Sequence, residues 1–329
     1  MLAGWVFAAF AALTLWRWSP SSRIYRVHPE LKADAPGAFT DIGGVSTHYA
    51  LRGSGPLIVF VHGWSGCSED FYRVMDDLSE TNTVLAYDHY GHGYTDGVSA
   101  NSDMRSLVAL LSQLLIKLAP LTSNQTLQPF TLIGFSMGGP ISAGFALEFP
   151  HMVKKLVLIN PAGIRVPMPL EGHIVKLPLL GDTLFQLAGR SLLEMQVSKG
   201  FVDGEAMEPA VKARKIGAIR SRMQHHPGHA KCLLSMLRHF RPLFDFEDGF
   251  AQLQNQSFPV MAILGENDAV CRFEGSKEKL RQLIPRAKVH TIGNCGHEDT
   301  LVKHSKEVAL VIAAFANDAD NSNSTTADR

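Results

Sequence analysis

A Gly-x-Ser-x-Gly pattern at residues 134–138 constrains the fold of this 329-residue chain more than any other feature. It follows an apolar run at 130–133 and precedes a helix-like stretch at 140–149, which predicts a strand that turns sharply into a helix. Such a turn needs glycine on both sides of the central residue, because a Cβ atom there would clash and the backbone is strained. We therefore expect Ser136 to stand exposed at the end of its strand.

A serine hydroxyl is a weak nucleophile at neutral pH, so catalysis by Ser136 would need a histidine base and a carboxylate that orients it. Downstream, two apolar runs lead into loops that carry Asp268 and then His297. The order serine, aspartate, histidine along the chain is the order that a strand-turn-helix serine site requires. Asp268 is thus the candidate acid and His297 the candidate base, with Glu266 as the alternative acid in the same loop.

Backbone N–H groups must also stabilise the oxygen that becomes negative during attack on a carbonyl. The apolar run at 57–61 ends in His62-Gly63-Trp64, so the amide of Trp64 is one candidate donor. The amide of Met137, directly after the serine, is the other. For His62 we expect no proton transfer, because a histidine at a strand end usually braces its loop by hydrogen bonds.

The remaining apolar runs alternate with helix-like stretches, which predicts an α/β fold with a mostly parallel, twisted sheet and helices on both faces. The first two runs flank Gly43-Gly44 and predict a leading antiparallel hairpin. Every candidate catalytic residue follows the carboxyl end of a strand, where active sites of such sheets gather. The predicted strands lie at 39–42, 45–52, 57–61, 83–87, 130–133, 156–159, 260–264 and 289–292.

Five motifs, at 62–64, 88–93, 134–139, 265–268 and 296–297, occur in the order found in α/β-hydrolase-fold serine hydrolases. Over residues 39–315 the chain resembles this family, most closely the branch of monoacylglycerol lipases, related membrane-anchored acylglycerol hydrolases and small-ester esterases. The resemblance implies hydrolysis of a carboxylic ester, such as a lipid ester, through an acyl-enzyme and without a metal or organic cofactor.

Alternatives within this superfamily are separated by single residues. Epoxide hydrolases and haloalkane dehalogenases use a carboxylate nucleophile, which Ser136 argues against. Some relatives carry the acid one strand earlier, where this chain has Asn160, and that difference favours Asp268. Cleavage of an amide, thioester, peptide or carbon–carbon bond by the same triad stays open, as does a non-catalytic binding protein on this fold.

The strand pattern stops between residues 161 and 256, which we interpret as a helical cap, or lid, inserted into a core at 38–160 and 257–316. Apolar residues at 174–187 could form an acyl-binding wall or only pack the cap onto the core. We expect residues 19–37 to be a linker. The tail at 317–329 is rich in Asn, Ser, Thr and Asp, and we expect it to be disordered.

Residues 2–16 carry no charge and are followed by Arg17, Arg23 and Arg26. This pattern predicts a retained single-pass membrane anchor within residues 1–18, and the positive-inside rule places the catalytic domain in the cytoplasm. A cleaved signal, giving a secreted or lumenal protein, is the alternative. Lysine plus arginine and aspartate plus glutamate both number 31, so no net charge favours nucleic acid as a partner.

Four cysteines occur without a Cys-x-x-Cys pair, which disfavours a zinc site and favours free thiols. A bridge between Cys271 and Cys295 stays open, because both lie close to the candidate acid and base. The histidines of His225-His226-Pro227-Gly228-His229 lack a carboxylate or cysteine at ligand spacing, so we expect a solvated loop there rather than a metal site.

Overall fold

The computed structural model describes residues 23–99, 102–122, 128–165, 170–202 and 209–318. The predicted anchor at 1–18 and residues 319–329 of the predicted tail lie outside this part of the chain.

Every predicted apolar run forms a strand. The described strands are β1 (Ile24–Tyr25), β2 (Ala38–Ile42), β3 (Val45–Arg52), β4 (Leu57–Val61), β5 (Thr83–Tyr87), β6 (Gly97–Val98), β7 (Phe130–Phe135), β8 (Val153–Ile159), β9 (Val260–Gly265) and β10 (Lys288–Ile292). Eight of them form one sheet in the order β10-β9-β8-β7-β4-β5-β3-β2. All its pairs are parallel except β2 with β3 and β3 with β5. The two short strands, β1 and β6, pair antiparallel beside this sheet.

Helices cover both faces of the sheet. The described helices are α1 (Pro29–Ala33), α2 (Tyr72–Leu78), α3 (Met104–Thr122), α4 (Gly138–Glu148), α5 (Leu170–Lys176), α6 (Leu180–Lys199), α7 (Pro209–His225), α8 (His229–His239), α9 (Glu247–Gln252), α10 (Phe273–Leu283), α11 (Asp299–Val302) and α12 (Ser305–Asn317). One apolar cluster joins the sheet to α3 and α4, and a second joins its other face to α2 and α12. The central strands are buried on both sides, which explains why they are continuous apolar runs rather than alternating ones.

Helix α3 is, within the described residues, the single helix long and apolar enough to cross a bilayer. One face of the helix packs in the core cluster of the sheet, which accounts for the apolar residues on that face, while Ile116 and Leu121 are exposed. The buried members are Leu107, Val108, Leu110, Leu111, Leu114, Leu115 and Leu118.

The described residues between β8 and β9 are mainly helical, and we call α5 to α8 the cap. These helices share an apolar cluster of their own, separate from the two clusters of the sheet, whose buried members are Phe185, Leu193, Ile219, Leu233 and Leu234. Helix α9 packs instead against α4 of the core. The cap is therefore a small second layer above the strand ends.

The segment expected to be a linker carries regular structure from Ile24 onward, namely β1 and α1. The Asp96 carboxylate fixes it, because Oδ1 accepts the amide of Val27 at 2.9 Å and lies 3.0 Å from the ammonium of Lys32. The amide of His28 donates to the carbonyl of His225 at 3.2 Å, which joins this segment to the cap.

The prediction of a solvated loop around His225 is wrong for two of its histidines. His226 and His229 are buried, because the cap packs here onto the loop after β5. His226 hydrogen-bonds the carbonyl of Thr95 through Nε2, and His229 hydrogen-bonds that of Gly91 through Nδ1, each at 2.8 Å. These side chains hold the cap to the core.

All four cysteines of the chain are free thiols, so Cys271 and Cys295 are not bridged in this structure.

Candidate active site

Ser136 follows β7 directly and has a φ of 54°, in the left-handed region that side chains rarely adopt. The two glycines of its motif are required sterically. A Cβ atom on Gly134 would lie 2.2 Å from the carbonyl oxygen of Gly138, and one on Gly138 would lie 2.0 Å from that of Val61. Only glycine fits both positions, which is the physical reason for the motif.

Backbone hydrogen bonds hold Ser136 in its strained conformation. Its amide donates to the carbonyl of Ile159 at 3.0 Å, and its carbonyl accepts the amides of Gly139 at 2.9 Å and Ala162 at 3.0 Å. Strain at a single residue persists when its surroundings fix it in this way. The turn thus keeps Ser136 at the carboxyl end of β7, but the prediction of an exposed serine is wrong, because the residue is only 8% exposed and lines a cavity.

His297 and Asp268 form a buried pair in the loops after β10 and β9. Nδ1 of His297 lies 2.7 Å from Oδ2 of Asp268, while Oδ1 accepts the amides of Val270 at 2.8 Å and Cys271 at 2.9 Å. Nδ1 therefore carries the ring proton and donates it in a hydrogen bond to the carboxylate, which leaves Nε2 as the free basic nitrogen. The other side of the imidazole packs on the Phe135 ring, with 4.8 Å between centroids.

Burial alone would lower the pKa of His297, but interactions with Asp268 and then with Cys271 outweigh burial and hold this pKa well above its ordinary value of 6.5. Glu266, the alternative acid, is exposed, and the structure pairs the histidine with Asp268.

Asn160, which stands where some relatives carry the acid, braces the histidine loop. Its amide nitrogen donates to the carbonyl of His297 at 3.1 Å and to the hydroxyl of Thr300 at 2.7 Å. Its amide oxygen accepts the backbone N–H of Gly265 at 2.8 Å. The sequence shows that this residue is an amide, but it does not predict the bracing role, because the contacts join three loops that are distant in the chain.

The loop after β4 reaches Ser136, since a Cβ atom on Gly63 would lie 2.9 Å from the Cβ of the serine. The next amide, that of Trp64, and the amide of Met137 have no hydrogen-bond partner within the described residues. Both residues thus offer unpaired donors beside the serine, as an oxyanion site needs.

His62 braces this loop, as the sequence predicts. The amide of His89 donates to its Nε2 at 3.0 Å, so Nδ1 carries the proton and donates to the carbonyl of Gly63 at 2.7 Å. In a trans peptide the carbonyl and the following N–H point in opposite directions. His62 therefore fixes the direction of the Trp64 N–H. Burial lowers the pKa of His62, which keeps the ring neutral in this role.

A cavity of about 300 Å³ opens at Ser136 and His297. We call it the Ser136 cavity. Cap helix α7 forms one wall and contributes three basic residues, Arg214, Lys215 and Arg222. The acidic residues Glu69, Asp70 and Glu298 also line the cavity. Lys215 Nζ lies 3.0 Å from Asp70 Oδ1 and 2.7 Å from Glu298 Oε2, and Arg222 lies 3.3 Å from Glu69. Ion pairs therefore line one side of the cavity, while apolar side chains, among them Trp64, Phe135, Val197 and Ile219, line much of the rest.

The apolar stretch at 174–187 does not line this cavity. Phe185 packs inside the cap cluster, which agrees with the packing alternative. The leucines of this stretch are largely exposed on the cap surface instead, and they are Leu177, Leu179, Leu180, Leu184 and Leu187.

Ligand atoms of Asp268, Cys271 and His297 lie within 4.8 Å of one another, which is a donor set that a thiophilic cation could use. Both carboxylate oxygens of Asp268 already accept hydrogen bonds from the histidine or from backbone amides. We therefore interpret this cluster as an arrangement that orients the imidazole of His297 rather than as a metal site.

A mostly parallel sheet with a strained serine after β7, and a buried histidine–carboxylate pair in the loops after β10 and β9, defines the α/β-hydrolase class. The sequence profile of the alpha/beta hydrolase fold family matches residues 56–303, and the chain belongs to this family. The predicted fold is confirmed, and the protein is a hydrolase of the α/β fold.

Two curated relatives illustrate the range of the family. A 2-hydroxy-6-oxo-2,4-heptadienoate hydrolase of Pseudomonas putida is 27% identical over 267 residues, covering 78% of this chain and 87% of the relative. A pimeloyl-[acyl-carrier protein] methyl ester esterase of Nitrosomonas europaea is 26% identical over 260 residues, covering 77% and 92%. Among solved structures, a meta-cleavage product hydrolase from Pseudomonas fluorescens has a TM-score of 0.67 at 21% identity, covering 85% of this chain and 97% of that one.

Proposed function

We propose that this protein is a serine hydrolase that cleaves carboxylic esters, with single-chain lipid esters such as monoacylglycerols as the substrate class. The observation that carries the proposal is the 2.7 Å hydrogen bond between His297 and Asp268, at a cavity that Ser136 also lines. This arrangement supplies a nucleophile, an oriented base and a group that stabilises the imidazolium.

In the proposed reaction, Ser136 Oγ attacks the ester carbonyl while Nε2 of His297 takes the hydroxyl proton. The amides of Trp64 and Met137 stabilise the oxyanion of the tetrahedral intermediate. Its collapse breaks the ester bond, and the departing alcohol receives the proton from His297. Water then attacks the acyl-enzyme with His297 as base, which releases the acid and restores the serine. Each step uses groups of this chain, so we expect no metal or organic cofactor.

The test is covalent labelling with a fluorophosphonate, which reacts with activated serines. We expect native wild-type protein to be labelled, and the Ser136→Ala variant and heat-denatured protein to remain unlabelled. Ser221→Ala is the matched control, because Ser221 lines the same cavity and has no assigned role. Equal labelling of Ser136→Ala and wild type would contradict the mechanism. A folded wild type that is not labelled would favour a non-catalytic binding protein.

Membrane attachment through residues 1–18 is part of the proposal, with the catalytic domain in the cytoplasm. Its support is the uncharged stretch at 2–16 and the basic residues on its C-terminal side, Arg17, Arg23 and Arg26. Protease treatment of intact cells and of opened membranes separates the alternatives. If the catalytic domain resists the protease completely in opened membranes whose cytoplasmic face is accessible, the cytoplasmic placement is contradicted.

Carbon–carbon hydrolysis of a carboxylate-bearing substrate is the second candidate. The guanidinium of Arg214 lines the Ser136 cavity and forms no ion pair with any described residue, so it is available to an anionic group. The names of the relatives agree with this chemistry as well. Comparing turnover of a carboxylate-bearing diketone with that of esters, thioesters and amides decides between the candidates.

A further inference from the structure

A second concave surface of about 360 Å³ lies between cap helix α6 and the loop that carries Asp268. We call it the side groove. Its lining is mainly apolar and consists of Leu192, Met195, Gln196, Lys199, Ala269 and Val270.

The side groove is adjacent to the Ser136 cavity. Gln196 lines both, and its side-chain amide has no hydrogen-bond partner among the residues that the structure describes. The other wall of the side groove is formed by Ala269 and Val270, which directly follow Asp268. The amide of Val270 donates to the carboxylate of Asp268 at 2.8 Å, so this wall has a fixed position relative to the candidate acid. A substrate bound at Ser136 therefore has an apolar surface beside it.

The two concavities differ in chemistry. The Ser136 cavity has a mixed lining, and an alkyl chain placed against its ion pairs would remove charged groups from water without pairing them, whereas the side groove is mainly apolar. The side groove offers Leu192 and Met195, which are 40% and 46% exposed. Covering such side chains with a hydrocarbon is favourable by about 25 cal/mol per Å² of apolar surface removed from water.

We propose that the side groove binds the alkyl chain of the ester, and that Gln196 borders the passage from the Ser136 cavity. The ester group and the polar part of the substrate then occupy the Ser136 cavity, while the chain runs between α6 and the loop that carries Asp268. This inference rests on the proposed ester hydrolysis and adds the site that selects chain length.

The experiment measures kcat/KM for a series of p-nitrophenyl esters from acetate to decanoate, each below its micellar concentration. For chains that reach the groove, we expect wild type to gain up to about fourfold per methylene, the factor that corresponds to about 0.8 kcal/mol. In the Leu192→Asn, Met195→Asn double variant we expect this gain to flatten while the acetate rate is unchanged. Met195→Trp, which fills the groove and keeps it apolar, should shift the optimum to shorter chains.

Leu187→Asn is the matched control, because Leu187 is on the same helix, is 81% exposed and lies outside the groove lining. Its chain-length profile should equal that of wild type. An unchanged profile in both groove variants, with acetate still hydrolysed, would overturn the side groove and leave the proposed function intact. No hydrolysis of any ester by folded wild type would contradict the proposed function and the groove with it.

Discussion

The ammonium of Lys215 lies 2.7 Å from the carboxylate of Glu298, the residue that follows His297 in the chain. The same ammonium lies 3.0 Å from Asp70, whose other oxygen accepts the amide of Cys67 in the loop after β4. One cap side chain thus joins the loop of the candidate base to the loop of the candidate oxyanion site. Burial would lower the pKa of Lys215, but the two carboxylates outweigh it and raise this pKa.

Replacing Lys215 with Met should leave Asp70 and Glu298 unpaired and close together. Removing one partner from a largely buried ion pair costs about 3 kcal/mol of stability, and kcat should fall as the two loops lose their common contact. Arg220→Met is the control, since Arg220 on the same helix pairs with Glu194 at the surface, where water screens the pair, and its loss should change stability little. Urea unfolding and ester kinetics of both variants are the measurements. Equal free energies of unfolding for the Lys215→Met and Arg220→Met variants would show that the ion pairs of Lys215 do not stabilise the contact between the two loops.

Asp268→Asn should lower kcat by about 10³ to 10⁴, because the amide no longer selects the tautomer with a free Nε2. It should also change the pH profile. His297 must be neutral to act as base, so its raised pKa places the acid limb of kcat/KM above pH 6.5 in wild type, with activity lost as pH falls through it. Without the carboxylate charge that limb should move to lower pH. Glu266→Gln is the control and should alter neither quantity, whereas a larger loss from Glu266→Gln would assign the acid to Glu266.

The strands and the order of the candidate triad follow from the sequence because they depend on local signals. Buried parallel strands are continuous apolar runs, and the turn at Ser136 requires glycine at Gly134 and Gly138 on steric grounds. These signals lie within a few residues of the groups they position. The sequence also separates Asp268 from Asn160, since only one of them is a carboxylate.

The polar contacts of the cap could not be predicted in this way. Lys215 meets Asp70 across 145 residues of chain and Glu298 across 83, and no local pattern encodes such pairs. The buried state of His226 and His229 was missed for the same reason, because it depends on where the cap packs on the core. A stretch of apolar residues likewise does not reveal whether it faces a cavity or solvent.

A comparison of two glycines tests the sharp turn at Ser136. Gly138→Ala should destabilise the protein by about 3 kcal/mol and abolish labelling, because its Cβ would lie 2.0 Å from the carbonyl oxygen of Val61. Gly217 is in helix α7, and a Cβ there meets no atom within 4 Å. Gly217→Ala should therefore stabilise the protein by about 0.5 to 1 kcal/mol, since alanine is the better helix former. Urea unfolding measures both, and a tolerated Gly138→Ala would refute the described turn.

The buried histidines between cap and core should make the fold sensitive to acid. Burial lowers the pKa of His226 to about 4 and that of His229 to about 3, whereas both approach 6.5 in the unfolded chain. Their contribution to stability is thus complete above pH 6.5 and is lost as pH falls toward the folded pKa values, by about 2 kcal/mol each at pH 5. The double variant His226→Gln, His229→Asn keeps a donor near each bonded nitrogen but does not titrate, so its free energy of unfolding should fall less between pH 7.5 and pH 5. The exposed His151→Asn variant should behave as wild type. An equal loss in the double variant would mean that other groups set the acid sensitivity.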